Sequence, residues 1–403
     1  MGKFKKIFNL DLILATALIF GAIYLIANLN DWFNLEFLNP IETTFNDFEL
    51  TDIVYSKINP SEDLGPDTNI VIINFANLSR LEIAEKLFYI NNYSPRVIGI
   101  DAFFSNPKDS ASDAILSDVL HSNPNIVLVS QLINYDKETD KFRAFKKSHS
   151  SVAANVKSGF ANMYIDDEST LNSVRQFMPR VDDDNITEKS FPVRVAEIFS
   201  PQAAKQFLAK ADDFEYIKYR GNLDKFPHLE ATEINDSTDL SMLTGKIVLL
   251  GYFCDEGTDK TLTDLFYTPL NDRYLGKAIP DMYGIVIHAN IISMIISGEK
   301  VYAMSTALSI VISILLCWFN LLLFHYITER FPIAYEGGSV VIFLVESIII
   351  LWLTVICLHE FDYHPIFDLP LFCAALSVPI FEMYDGTFKP LFIRLFNKLR
   401  KRK

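Results

Sequence analysis

Cysteine is scarce in this chain, with four in 403 residues. Cys317, Cys357 and Cys373 fall in long apolar blocks, so only Cys254 lies elsewhere and a disulfide framework is excluded. The seven histidines are scattered without metal-ligand spacing, so neither a metal site nor a cofactor is expected. No Gly-x-Ser-x-Gly elbow is present. A set such as Cys254, His288 and Asp264 can be assembled only on paper, and no catalytic residue is assigned. Internal repeats and low-complexity segments are absent as well. Basic charge is short where a polyanion would need it. Eleven of 36 basic and nine of 50 acidic residues lie outside residues 31–302, leaving that segment 25 basic against 41 acidic. A net charge of −16 there argues against nucleic acid or an anionic lipid surface as its partner.

What the chain has in excess is apolar sequence: half of its residues are hydrophobic, concentrated in four blocks. Residues 12–29 carry no charge and follow Lys3, Lys5 and Lys6. They reach about 27 Å at 1.5 Å per residue, close to the hydrocarbon thickness of a bilayer. A cleaved signal peptide is the alternative, but no small-x-small site follows. Residues 303–324 are uncharged, residues 339–358 contain only Glu346, and residues 366–384 are interrupted by Asp368, Pro370, Pro379 and Glu382. The positive-inside preference places the N-terminal lysines in the cytoplasm. The seven basic residues after Asp385 require a fourth span to return there. The expected layout is therefore a cytoplasmic stretch 1–10, spans at 11–30, 303–325, 338–358 and 366–384, a periplasmic domain at 31–302 and a basic cytoplasmic tail at 385–403. Phe392, Leu395, Phe396 and Leu399 in that tail share a helical face suited to the inner membrane surface.

The large segment reads as α/β. Residues 69–75, 96–101, 125–132 and 245–251 are short apolar runs, the composition of strands covered on both faces. Apolar stripes of helical period at 78–89 and 110–120 separate the first three, with Ser110 or Asp113 near the start of the second. A βαβαβ run of this kind predicts an open, mostly parallel sheet flanked by helices. Residues 158–165 and 174–179 suggest a hairpin-like insert around a polar turn, 191–198 a short helix and 216–220 a strand. Residues 282–297 predict a helix capped by Gly298, and Phe45, Phe48, Leu50 and Ile53 a further helix.

Four motifs stand in order along this segment. They are Arg96-Val-Ile-Gly-Ile-Asp-Ala-Phe-Phe104, Gly245-Lys-Ile-Val-Leu-Leu-Gly251, Asp264 with Thr268-Pro269, and Gly284-Ile-Val-Ile-His-Ala-Asn290. They resemble the CHASE2 domain, and so does the order of one anchor, a large outside domain and three closely spaced spans. The resemblance covers roughly residues 40–385 and implies an extracytoplasmic sensory domain. In that family the spans usually lead into a histidine kinase, nucleotide cyclase or Ser/Thr kinase. Here the sequence after the last block is a basic tail, so no output chemistry is expected of this chain. The family's Asp-Gly turn is also eroded: Gly159-Phe-Ala-Asn162 is present, but Asn172 stands where glycine is usual.

Asp101, Asn74, Asn77 and Gln131 sit at or beyond the ends of three consecutive predicted strands. With Asp264 and His288 they are expected to line a ligand crevice of the kind that forms at the carboxyl edge of such sheets. The competing structural reading has Asp101 capping the next turn and His288 satisfying backbone groups. Glu346, a carboxylate inside a span, is expected to be protonated or to meet a polar partner, with Asn320 of the neighbouring span as candidate. The function expected is a non-enzymatic, membrane-anchored sensory or protein-interaction subunit of the bacterial inner membrane. Its expected partners are other membrane or periplasmic proteins, among them a separate signalling output subunit, with a small-molecule ligand as a further option. The alternatives are a periplasmic hydrolase or transferase with a crevice near Asp101 and Asp264, or a transport component using Glu346.

Overall fold

A computed structural model describes residues 11–27, 52, 55–56, 65–75, 78–136, 141–163, 173–183, 186–254, 264–271, 279–331, 335–391 and 394. The expected helix around Phe45–Ile53, Asn77, the turn bearing Asn172 and the tail helix at Phe392–Leu399 lie outside the described residues. The chain divides into two compact units, one comprising Met1–Val54 with Tyr302–Lys403 and the other Tyr55–Val301. Helix α1, Asp11–Ala27, belongs to the first of these.

The Tyr55–Val301 unit is built on short strands, the central ones buried along their whole length. β1 (Ile70–Asn74), α2 (Arg80–Asn91), β2 (Val97–Ile100), α3 (Ser110–Ser122) and β3 (Ile126–Asp136) follow the expected βαβαβ order. β4 (Lys141–Lys146) and β5 (Lys157–Phe160) come next, then β6 (Gln176–Phe177), β7 (Arg180–Asp183) and β8 (Ile186–Lys189). They are followed by α4 (Phe191–Phe199), α5 (Pro201–Leu208), β9 (Glu215–Tyr216), β10 (His228–Glu230) and β11 (Ile247–Gly251). β12 (Leu265–Phe266), β13 (Met282–Tyr283) and α6 (Gly284–Ser297) complete the unit.

Parallel strands run in the order β10-β1-β11-β2-β3. β3 then divides its edge, pairing parallel with β5 along Val127–Ser130 and antiparallel with β4 along Gln131–Asp136. Successive side chains point to opposite faces of a strand. Ile70, Ile72, Val97, Val127, Ile247 and Leu249 accordingly join a core with α4 and α6. Val71, Ile73, Ile98, Ile100, Leu128, Val248 and Leu250 join a second core with α2 and α3. Local chemistry sets the helix ends. Ser79 and Glu82 form a reciprocal capping box on α2, and Gly298 closes α6 at φ +74°. Asp109 caps α3, with Ser110 its first residue and Asp113 in its first turn, as expected. Asp113 is buried against Arg80, whose other guanidinium nitrogen donates to the Asn106 carbonyl. That ion pair holds the Asp113 carboxyl below its ordinary range and pins the loop that follows β2.

The hairpin-like insert is not formed. Its first half, β5, joins the main sheet, because Gly159 has no Cβ and lies directly on the Phe191 backbone at the start of α4. Its second half supplies β6, which pairs with β9, a strand of two residues where five were expected. β3 runs further than its apolar stretch because β4 supplies hydrogen bonds along its polar end.

In the other unit, β14 (Tyr302–Ala303) pairs with β15 (Tyr363–His364) on either side of α7 (Thr306–Arg330) and α8 (Tyr335–Phe361), and α9 (Asp368–Met383) follows. Among the described residues two helices, not four, are long and apolar enough to cross a membrane: Thr306–Arg330 and Gly338–Phe361. α9 contains 16 residues, about 24 Å, short of a ~30 Å hydrocarbon layer, and the described part of α1 is 17 residues. α9 also carries Pro379 inside the helix. Leu12, Ala15 and Ile19 of α1 pack with Cys317, Leu321 and Phe324 of α7 and with Cys373, Ile380 and Phe381 of α9.

Asn290 of α6 is fully buried. Its Oδ1 accepts from the backbone N–H groups of Arg220 (2.7 Å) and Gly221 (3.3 Å), and its Nδ2 donates to the carbonyls of Gly221 and Val286, both at 2.9 Å. Asn290→Ala should strand buried backbone groups and cost about 3 kcal/mol. Thermal unfolding of the full-length chain by circular dichroism checks this, with Gln202→Ala on the exposed side of α5 as the near-neutral control.

Candidate functional site

β11 lies between β1 and β2, yet the chain leaves these three strands toward different faces. β1 and β2 lead into α2 and α3 on one face, and β11 leads through residues 252–283 to α6 on the other. Such divergence opens a crevice beyond the carboxyl ends of the strands.

Asp101 is at this edge. Its backbone N–H continues the ladder by donating to the Leu250 carbonyl at 2.8 Å, and its side chain is half-buried. Burial pushes the carboxyl up to about 7, with the charge of Asp264 as the second cause. The structure therefore brings together two carboxylates that lie far apart in sequence. Asp264 sits in the left-handed region at φ +63°, and its carbonyl accepts from the Gly284 N–H at 3.1 Å. Gly284 lies close under it: a Cβ there would stand 3.0 and 3.2 Å from the two Asp264 carboxylate oxygens, a tight contact. Desolvation on that packed side lifts the Asp264 carboxyl to about 6, although its outer side is exposed to solvent. Tyr252 and Tyr283 meet edge-to-face beside it, with ring centroids 5.7 Å apart, and the Tyr252 hydroxyl lies 3.7 Å from Cys254 Sγ.

The other expected residues are placed elsewhere. Asn74 ends β1, where its Nδ2 donates to Glu230 Oε1 (3.1 Å) and its Oδ1 accepts from the Phe253 N–H (3.4 Å). It ties three strand ends together. Gln131 is exposed on β3 opposite Lys146 of β4, because the register of that antiparallel extension carries it away from the parallel strand ends. His288 is buried in the second turn of α6, edge-on to Phe191 at 5.1 Å. Burial lowers it to about 3, so it is neutral. Its Nδ1 has no hydrogen-bond partner among the described residues, so it does not satisfy a backbone group from that nitrogen.

One carboxylate was not singled out from the sequence. Asp281 accepts from the Thr268 N–H (2.9 Å), the Thr268 hydroxyl and Asn271 Nδ2 (3.1 Å). Burial raises it to about 6 against the opposing pull of those donors. It shapes the Thr268-Pro269 turn. The Thr268-Pro269 motif was the available signal, but the acceptor lies beyond the loop. Among the described residues no group of three metal-ligating side chains converges.

An unfolded aspartate releases its proton near pH 4, whereas Asp101 holds one to about pH 7. The folded state thus binds more protons in that window, and stability falls as pH rises through it. Asp101→Asn should therefore stabilise the full-length chain at pH 8, by on the order of 1–2 kcal/mol after allowance for solvent screening. The gain should vanish at pH 4, as thermal unfolding at the two pH values would show.

Residues 32–324 match the family model of the CHASE2 domain, well over half of the 403-residue chain. No curated protein and no solved structure matches the chain. The open, parallel-rich sheet with a helical layer on each face agrees with the match, and the chain belongs to the CHASE2 family of extracytoplasmic sensory domains.

Proposed function

We infer that this chain is a non-enzymatic sensory subunit of a bacterial inner-membrane complex. Its α/β unit reads a ligand outside the membrane, and its helices relay the state to a separate output protein. The observation that carries the reading is the Asp101–Asp264 pair at the carboxyl edge, where burial holds both carboxyls above their ordinary range and the charge of Asp264 adds to the effect on Asp101. A cationic ligand, or one rich in hydrogen-bond donors, would draw the protons off and gain most from the site. A hydrolase or transferase has less support, since His288 is sealed behind Phe191 and neutral.

The membrane layout proposed is four spans with both termini cytoplasmic and the α/β unit in the periplasm. Support comes from α8, which leaves Val340, Val341, Leu344, Val345, Ile348 and Trp352 exposed, a surface suited to lipid. Helical geometry also continues past α9 through one π turn at Tyr384–Phe388. The 16 and 5 residues together reach about 31 Å, enough for a span. The packing of α1 on α7 and α9 supports a span there too.

The test is a thermal-shift screen of the detergent-solubilised full-length chain against small amines, guanidines and amino acids near pH 7. A ligand at 100 times its Kd should stabilise the folded state by about 2.7 kcal/mol. The effect should disappear in the Asp101→Asn/Asp264→Asn double variant. Stabilisation that persists unchanged in that variant would remove the crevice from the proposal.

A further inference from the structure

Asn320 of α7 is fully buried, and its Nδ2 donates to Glu346 Oε2 of α8 at 3.1 Å. The atoms left over do not balance. Asn320 Oδ1 and Glu346 Oε1 are both shielded from solvent, and neither has a hydrogen-bond partner among the described residues. An ionised carboxylate offers only acceptors, and an amide offers one acceptor atom with two N–H donors. An ionised Glu346 would therefore leave two buried acceptors orphaned and a negative charge that an amide cannot neutralise.

Among the described residues no cation compensates. On α7, His325 faces Glu329 at 3.4 Å, and on α8, His359 faces Glu360 at 3.0 Å. Among the described residues the Cys317 thiol on α7 is the titratable group within electrostatic reach of Glu346, and Cys373 of α9 is hydrogen-bonded to that thiol. A single proton on Glu346 Oε1 removes the whole deficit, because its O–H can donate to Asn320 Oδ1. Exchanging the amide oxygen and nitrogen does not change the conclusion, since Oδ1 would then face Oε2 and again need a proton there.

We propose that Glu346 is a proton-binding site, protonated at neutral pH and joined to Asn320 as a reciprocal acid–amide pair. The bond between α7 and α8 is then neutral and two-stranded, and loss of the proton replaces a donor with a buried charge at that contact. Packing of the two helices is thereby linked to proton occupancy. The inference stands independently of the sensory reading and of the ligand crevice.

Infrared difference spectroscopy on the full-length chain in lipid at pH 7 tests it. Wild type minus Glu346→Gln should show one protonated-carboxyl C=O band that moves in D2O. In Asn320→Leu the same band should shift to higher frequency as its hydrogen bonds are lost. A difference containing only carboxylate bands would overturn the proposal. Glutamine can reproduce both bonds, so Glu346→Gln should melt with the wild type whereas Glu346→Ala melts lower. Equal losses in the two variants would count against the pair. Should Glu346→Gln fail to assemble, wild-type chain carrying 13C-labelled glutamate gives the same answer. One isotope-shifted protonated band is expected at neutral pH, and its absence overturns the proposal.

Discussion

A parallel sheet that is apolar on both faces must be covered twice, and the α/β unit follows from that requirement. Alternate residues of β1, β2, β3 and β11 feed two separate cores, so neither helical layer can be dispensed with. Coverage on both sides sends the connections after β1 and β2 one way and the connection after β11 the other.

Polar groups then occupy the few places the two layers leave. Asn290 clasps the Arg220–Gly221 turn from inside α6, and Arg80 with Asp113 secures the loop beyond β2. Both are satisfied and hold the fold. Asp101 and Asp264 differ, because they face each other with no cation between them among the described residues. Close packing over Gly284 keeps them partly dry. The same contrast recurs in the helical unit. Ser309 and Ser313 bond to carbonyl oxygens of Ile366 and Ser309, whereas Asn320 and Glu346 retain unmatched acceptors. Sites with an unmet electrostatic need are where binding energy is available.

Much of this fold was legible in the sequence. The strands β1, β2 and β11 are continuous apolar runs, a signal that depends only on local composition, and the four ordered motifs pointed to the family. Helix α6 was legible because its apolar residues fill every face and Gly298 marks its end. The elements that were missed depend on distant partners. β5 is a strand because Gly159 fits against Phe191, and the polar half of β3 is a strand because β4 lies beside it. The span at α9 was drawn from the basic charge that follows it rather than from its own sequence, which Pro370 and Pro379 already interrupt.

The candidate site divides along the same line. By itself the sequence determined that carboxylates and amides stand at strand ends, that a carboxylate interrupts an apolar block, and that the segment is acidic without disulfides. Those are properties of composition and short-range pattern. Tertiary structure alone decided that Asp101 meets Asp264, that Asn74 serves the strand ends, that Gln131 turns away and that His288 is sealed in the core. Each of these rests on strand order and register, which arise when faces are buried against elements distant in the chain. β11, more than a hundred residues after β2, inserts beside it.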